Sequence, residues 1–292
     1  MEFNNSIIGL LGEHIENSLS PLIHQHFIHY YSLDYCYFPF QITSDKLKAA
    51  IMGVGALGIR GLNITISFKE RSMEFMDYID PSAKKIGAIN TVVQKGKKLY
   101  GYNTDWTGFK IPLLKNCGFD LINKKAVVLG AGGAGRAIIF ALGEEGCSRI
   151  SIFNRTLQHA LEVKKNFNLF FPFCTIGAFS YQNKNMQKEI NDADIIINAT
   201  PLGSWYYPDQ NPLPEHIKLP SRPVVYDLIY DPDRTPLLKM AEMSGNIVIN
   251  GKAMLVYQAA ESFYLWTDVH PEQEIITQIL EEVDKKVYSS SL

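Results

Sequence analysis

A short apolar run, Ala126 to Leu129, meets a glycine cluster at residues 130–135, and a helix-forming run follows without a gap. Gly130, Gly132 and Gly135 fit Gly-x-Gly-x-x-Gly in the strand–turn–helix context that gives the pattern meaning. In such a unit Gly130 makes the tight turn, Gly132 lets the backbone approach a pyrophosphate, and Gly135 lets helix and strand pack closely. Ala131, Gly133 and Ala134 complete the loop. The helix, starting near Ala134, is expected to turn its free N–H groups and positive dipole end toward phosphates. A glycine-rich turn without a ligand has the same composition, so the loop by itself names neither cofactor nor reaction.

The end of the next strand selects the cofactor. Asn154 lies nineteen positions beyond Gly135, about where an NAD site carries an Asp or Glu for the ribose hydroxyls. Here the chain reads Phe153-Asn154-Arg155-Thr156. A carboxylate repels the 2′-phosphate of NADP, whereas a guanidinium grips phosphate with forked contacts. Asn154, Arg155 and Thr156 therefore point to NADP, against the plain alternative of an exposed arginine at a strand end.

Strand and helix patterns alternate on both sides of this unit. Strands are expected at 6–11, 35–41 and 59–66, with a hairpin of 90–94 and 98–102 turning at Lys95-Gly96. Helices are expected at 20–31, with Ser20 capping ahead of Pro21, then from 43 through 51, at 68–78, and at 104–116 with Thr104 as a cap. Beyond the glycine loop the strands are 149–153, 169–174, 193–198, 223–228 and 247–249. The helices there are 156–166, 180–190, 235–243, 252–266 and 271–283. This predicts an α/β protein of two α/β domains, each with a largely parallel sheet, breaking near 104–106. The second is a Rossmann-type, doubly wound dinucleotide-binding domain. A cleft between them suits cofactor on one wall and substrate on the other.

Composition narrows the class further. A net charge of −2 gives no pull toward nucleic acid or anionic membrane. Arg136 interrupts the best apolar run, so no bilayer span is expected. The first five residues lack the basic region of a signal peptide, and the chain reads as cytoplasmic. Cys36, Cys117, Cys147 and Cys174 lie far apart and form no Cys-x-x-Cys, which predicts buried, reduced thiols. His24, His26 and His29 carry no metal-ligand motif, and no metal is expected.

The N-terminal half gathers polar residues at predicted strand ends: Ser18 and Ser20, Asn63 and Thr65 with Lys69, Asn90 with Thr91, and Asn103-Thr104-Asp105. Taken singly each has a structural reading as a cap or turn. Together, at the carboxyl edge of a parallel sheet, hydroxyls and amides suit a small polyhydroxylated molecule. Lys69 and Asp105 are the natural proton-transfer pair.

At this point the residues match a family. Asn17-Ser-Leu-Ser-Pro21, Gly61-Leu-Asn-Ile-Thr-Ile-Ser-Phe-Lys69, Gly87-Ala-Ile-Asn-Thr-Val92 and Gly101-Tyr-Asn-Thr-Asp105 resemble, in that order, segments of shikimate dehydrogenases. So do the glycine loop with Asn154-Arg155-Thr156, Asn198-Ala-Thr-Pro-Leu-Gly203, Tyr226-Asp227-Leu-Ile-Tyr230 and Met254-Leu-Val-Tyr-Gln-Ala-Ala260. The resemblance implies reversible, NADPH-dependent reduction of 3-dehydroshikimate to shikimate, a step toward aromatic amino acids. It implies that Ser18, Ser20, Thr65, Asn90 and Gln258 hold the carboxylate and hydroxyls, and that Lys69 and Asp105 flank the reacting C–O group. Tyr230 and Gly251 would lie near the nicotinamide, and Thr200 near the cofactor. The chain after Lys252 would return to the first domain, giving a substrate domain of 1–105 plus 252–292 around an NADP domain of 106–251. The partners implied are a small-molecule substrate and, at most, a second copy of the chain, as monomer or homodimer.

Two departures accompany the match. Family members usually have proline where this chain has Ser67, which predicts a freer lysine loop. A methionine commonly follows the Asn-Ala-Thr-x-x-Gly motif, whereas Ser204-Trp205 stands here. The competing readings are a quinate or dual shikimate/quinate dehydrogenase, a glutamyl-tRNA reductase sharing the loop, and a non-catalytic sensor. The paired Ser18 and Ser20 favour shikimate over quinate. The Lys69 and Asp105 motifs argue against the other two.

Overall fold

The computed structural model describes residues 6–290; the amino-terminal pentapeptide and the end of the polar tail lie outside them. Among the described residues the chain forms two compact units. One runs through Gly108 and includes Leu255–Val283; the other is Phe109–Met254 with the chain from Asp284.

The first unit contains β1 (Ser6–Gly12), α1 (Ser20–Tyr30), β2 (Tyr35–Gln41), α2 (Leu47–Ala56) and β3 (Ile59–Ile64). β4 (Tyr78–Ile79), α3 (Pro81–Ile86), β5 (Thr91–Lys95) and β6 (Lys98–Tyr102) follow, then the start of α4 (Asp105–Ile111). The strands form one sheet in the order β2-β1-β3-β5-β6-β4. β1 pairs parallel with β2 and β3, but β5 runs antiparallel to both β3 and β6, so the sheet is mixed rather than largely parallel. The cause is the tight hairpin at Gly96, whose φ of 61° is in the left-handed region that glycine adopts freely.

Two further expectations fail in this unit. Residues 68–78 form no α-helix; they pass through turns and a 3₁₀ segment, Arg71–Phe75, into β4. Asp77 draws the chain onto the sheet there, because its N–H reaches Leu99 O and its carboxylate accepts the Leu99 N–H. Ser20 is not the cap of α1 but its first residue, behind Leu19.

The second unit contains β7 (Lys125–Leu129), α5 (Gly133–Glu144), β8 (Arg149–Phe153), α6 (Leu157–Asn168), β9 (Thr175–Phe179) and α7 (Met186–Asp192). β10 (Ile195–Asn198), β11 (Val224–Asp227), α8 (Pro236–Met243) and β12 (Val248–Ile249) complete it. Its sheet is wholly parallel, in the order β12-β11-β10-β7-β8-β9. The order reverses between β7 and β10, and in such folds ligands bind outside the carboxyl ends of the strands at this point. Val127, Leu129, Phe153, Ile196 and Val225 fill one face against Ile190, Leu237 and Leu238. Buried on both sides, these strands read as continuous apolar runs. The strand expected at 169–174 begins instead at Thr175. Pro172 lacks an N–H for the ladder, and Phe171 turns inward onto Phe140 while Phe173 stays exposed.

α9 (Lys252–Thr267) and α10 (Gln273–Ser290) end the chain. From Leu255 on, α9 belongs to the first unit. Its Trp266 is fully buried and donates to Val92 O at 2.9 Å. Gly61 on β3 makes the room, since a Cβ there would meet the indole nitrogen at 2.1 Å. Truncating such an anchor costs about 3–5 kcal/mol. Gln258, Ser262 and Trp266 are spaced four apart and share one face of α9. The thiols divide: Cys147 and Cys174 are buried, Cys36 is half-buried and Cys117 is exposed, contrary to the expectation that all four are buried. Among the described residues no helix is long and apolar enough to cross a membrane.

Candidate active site

The mixed sheet brings the polar residues of the first unit to one edge. β1 and β3 run parallel with Leu11 opposite Ile64, so the segments after them, carrying Ser18, Ser20, Thr65 and Lys69, leave from the same side. Asn63 lies opposite Thr91, and Thr91 opposite Tyr102. Asn90 thus reaches that edge at the start of an antiparallel strand, and Asn103-Thr104-Asp105 at the end of β6. Asn90 is placed by the hairpin and not, as expected, by a parallel strand's carboxyl end.

Lys69 Nζ donates to Asp105 Oδ2 at 2.5 Å, with both side chains largely buried. Asp105 Oδ1 accepts from Asn90 Nδ2 at 2.9 Å. The orientation of the Asn90 amide is forced: its Oδ1 accepts the Thr104 backbone N–H at 2.8 Å, and a backbone N–H is always a donor. Nδ2 must therefore face Asp105, and it also lies 3.2 Å from Gln258 Oε1. Thr104, expected to cap α4, uses its hydroxyl elsewhere, on the Gln258 carbonyl at 2.9 Å; the Asp105 N–H is taken by Asn103 Oδ1. Lys69, Asp105, Asn90 and Gln258 form one hydrogen-bonded group. Both carboxylate oxygens of Asp105 accept, which leaves the remaining N–H groups of Lys69 for a ligand.

Ser18 and Ser20 lie together, Oγ to Oγ 3.2 Å. Thr65 is half-buried and sets its methyl group against Gly12, where no Cβ fits. Ser67, two residues before Lys69, has a φ of 72°. Proline is fixed near −65° and cannot adopt it, so the lysine loop here takes a backbone course that the family's usual proline excludes. Its hydroxyl lies 3.5 Å from Glu13 Oε2.

Beneath this edge lies a group the sequence reading did not assign. Tyr37 on β2 is buried and donates to Asn63 Oδ1 at 2.8 Å. Asn63 Nδ2 donates to Ser262 Oγ at 3.0 Å. Ser262 Oγ is 2.7 Å from Thr91 Oγ1. Asn63, Thr91 and Thr104 were visible as polar residues at strand ends. Tyr37, in an aromatic strand, and Ser262, in an apolar helix, gave no signal. His24 is fully buried, stacked on Tyr37 at 4.4 Å, and burial pushes its imidazole down to about 3. His26 pairs instead with Glu282 at 2.6 Å.

In the second unit the glycine loop follows β7. Gly130 has a φ of 105°, and a Cβ there would meet Ala199 O at 2.9 Å. A Cβ on Gly135 would meet Gly130 O at 2.3 Å, so α5 approaches the turn only because that residue has no side chain. Gly132 opens on free space, and the first helical bond is Arg136 N–H to Gly132 O. The N–H groups of Gly133, Ala134 and Gly135 therefore lead the helix, as an anion site requires. Ala131 N–H donates to Asn154 Oδ1 at 3.1 Å, and Asn154 Nδ2 to Thr156 O at 2.9 Å. The Asn154 amide thus braces the loop. Arg155 and Thr156 are exposed beside it. Thr200 is held by Asn198, whose Oδ1 accepts both its N–H and its hydroxyl. The cradle, with no carboxylate at the end of β8, fits a dinucleotide bearing a 2′-phosphate.

Gly251 lies beside the segment that carries Tyr230. Its N–H reaches Ile229 O at 2.9 Å, and a Cβ would meet Leu228 O at 2.0 Å. Asp227, fully buried before that segment, accepts from Asn198, Thr235 and the Ile229 N–H; burial still raises its carboxyl to about 6.

Comparison with known proteins finds relatives along both units of the chain. Residues 10–92 match the shikimate dehydrogenase substrate binding domain, 113–204 match shikimate / quinate 5-dehydrogenase, and 253–281 match the shikimate 5'-dehydrogenase C-terminal domain. A shikimate dehydrogenase (NADP(+)) of Halothermothrix orenii is 38% identical over 92% of this chain and 94% of its own length. A shikimate dehydrogenase crystallised in complex with NADP+ superposes with a TM-score of 0.86 at 36% identity, covering 97% of this chain and 96% of that one. The shikimate 5-dehydrogenase of Listeria monocytogenes, crystallised with shikimate and NAD, gives a TM-score of 0.84 at 34% identity over 94% and 96%. With the lysine–aspartate pair on one sheet edge and the glycine cradle on the other sheet, the chain belongs to the shikimate dehydrogenase family.

Proposed function

We propose that this chain catalyses the reversible reduction of 3-dehydroshikimate to shikimate with NADPH. The observation that carries the reading is the Lys69–Asp105 pair, oriented by Asn90 and adjoined by Gln258. NADPH, when bound, would provide the hydride that adds to the carbonyl carbon. Lys69 then stabilises the alkoxide and gives it a proton, a charge-directed contribution that grows in the transition state. Asp105, accepting on both oxygens, holds the ammonium in place and is the partner through which Lys69 regains its proton. Ser18 and Ser20 bind the substrate carboxylate, while Thr65, Asn90 and Gln258 bind its hydroxyls. Gly130, Ala131, Gly132, Gly133, Ala134 and Gly135 hold the pyrophosphate. Arg155, with Asn154 and Thr156, reads the 2′-phosphate. Thr200, Tyr230 and Gly251 border the rest of the cofactor. In this assignment substrate binding belongs to 1–105 with 252–292 and cofactor binding to 106–251.

One kinetic matrix tests the reading: shikimate and quinate, each with NADP+ and NAD+. The expected result is the highest kcat/KM for shikimate with NADP+. A higher value for quinate would overturn the substrate assignment, and a higher value with NAD+ would overturn the cofactor assignment.

A further inference from the structure

We propose that Tyr37 and Ser262 are positioning residues for this reaction, members of one directed hydrogen-bond chain that ends on the Asp105 carboxylate. The proposal rests on the reading of Lys69 and Asp105 as the reacting pair.

The direction of the chain follows from donor and acceptor capacity. The Thr104 N–H fixes Asn90 Oδ1 as an acceptor and turns Asn90 Nδ2 to Asp105. An amide oxygen cannot donate, so the bond between Thr91 Oγ1 and Asn90 Oδ1, 3.1 Å long, carries the threonine proton. Thr91 Oγ1 then has only lone pairs for Ser262 Oγ at 2.7 Å, and Ser262 is the donor there. Ser262 in turn accepts from Asn63 Nδ2 at 3.0 Å, which leaves Asn63 Oδ1 for the Tyr37 hydroxyl at 2.8 Å. The Gln258 carbonyl, also within reach of Ser262 at 3.0 Å, is served by Thr104 at 2.9 Å. A single sequence of donors thus leads from the tyrosine to the aspartate: Tyr37, Asn63, Ser262, Thr91, Asn90, Asp105. All six are buried.

Away from water such a chain polarises along its length, and each member depends on the next for its rotor setting. Removing the Ser262 hydroxyl leaves Asn63 Nδ2 without its best acceptor and Thr91 with only the long contact from Asn63 Nδ2, at 3.4 Å, as donor. Thr91 then has no fixed direction toward Asn90, the group that orients Asp105. The same loss frees α9 one turn beyond Gln258. Removing the Tyr37 hydroxyl strands Asn63 Oδ1 and lets that amide turn, with the same consequence from the other end.

The test uses the full-length enzyme as wild type, Tyr37→Phe, Ser262→Ala and the double variant, with kcat and KM for shikimate, KM for NADP+ and melting temperature measured for each. Each single variant is expected to lose about tenfold in kcat/KM for shikimate, with KM for NADP+ unchanged. The double variant is expected to be no worse than the poorer single, because both cut one chain. A merely structural role lowers the melting temperature and leaves the kinetic constants of the folded enzyme alone. That result, or a double variant whose loss is the product of the single losses, overturns the proposal. Should Ser262→Ala fail to fold, Tyr37→Phe decides by itself, since it keeps the ring stacked on His24. A wild type inactive on shikimate would sink the functional reading and this proposal with it; an active wild type with unaffected variants sinks only this proposal.

Discussion

Acidification is expected to destabilise the first unit through His24. Its ring is fully buried, and neither nitrogen has a hydrogen-bond partner among the described residues. Asn63 lies close enough to favour the charged form slightly, but no bond of proper geometry forms, so burial decides and the folded value is about 3 against an ordinary 6.5. The folded value is depressed, so below 6.5 the unfolded chain takes a proton that the folded chain refuses. Stability is therefore complete above that value and is lost as pH falls toward 3. Between about pH 7.5 and about pH 5 the loss from this residue is about 2 kcal/mol, from the unfolded chain's protonation alone. Asp227 works in the opposite sense in the second unit. Its folded value, raised to about 6, lets the folded state take the proton first, and stability rises by about 1.4 kcal/mol over the same interval. A bare pH curve mixes the two. The informative quantity is the difference between wild type and His24→Phe, which keeps the stack on Tyr37 and removes the titration. Both proteins carry Trp205→Phe, so that Trp106 and Trp266 of the first unit supply the fluorescence in urea unfolding. Equal pH slopes, within about 0.5 kcal/mol, would mean that folded His24 takes up its proton as readily as the unfolded chain does, and would refute the reasoning.

Other variants test the site itself. Lys69→Ala is expected to cut kcat by about 10²–10⁴ while shikimate still binds, since it removes an interaction strongest in the transition state; near-normal turnover would reject the assigned role. Arg155→Ala is expected to weaken NADP+ by about tenfold or more and NAD+ little; equal losses in titrations with both would mean that Arg155 does not read the 2′-phosphate. Ser67→Gly is expected to gain about 0.5–1 kcal/mol in urea unfolding by relieving the left-handed backbone, and Ser67→Pro to lose stability, because its ring forbids a φ of 72°. A proline variant as stable as wild type would contradict the loop geometry.

Much of the fold was legible because local and global signals agree. β7 over 126–129, β10 over 195–197 and β11 over 224–226 are unbroken hydrophobic runs because helices or loops cover both faces, and glycines stand where turns need them. The misread segments are those where one residue outweighs a pattern. Phe68 to Tyr78 has helical spacing, yet two hydrogen bonds between Asp77 and Leu99, one donated by each, pull its end into the sheet. Residues 169–174 have strand composition, but Pro172 cannot join a ladder and the strand starts three residues after it. The antiparallel course of β5 follows from a hairpin the sequence did announce. Its consequence, that Asn90 reaches the site from a strand's beginning, required the pairing itself.

The site divides along a similar line. A polar group near a strand end stands out against apolar neighbours; Lys69, Asn90 and Asp105, the residues proposed to meet the ligand, were visible for that reason. Residues that orient those groups sit one layer deeper, where a hydroxyl on an aromatic ring or on a small helical residue looks like core filling. Tyr37 reads as one more aromatic in β2 and Ser262 as a tolerated serine in α9. Only the three-dimensional pairing reveals that each oxygen is used. The Thr104 N–H carries the most weight in this arrangement, although its side chain gives no hint of it. A backbone donor cannot titrate or rotate away, so it sets the Asn90 amide permanently, and with it the face of Asp105 left to Lys69. The polarity of the Lys69–Asp105 pair is thus written in the course of the main chain between β6 and α4, and side-chain substitution alone cannot reverse it.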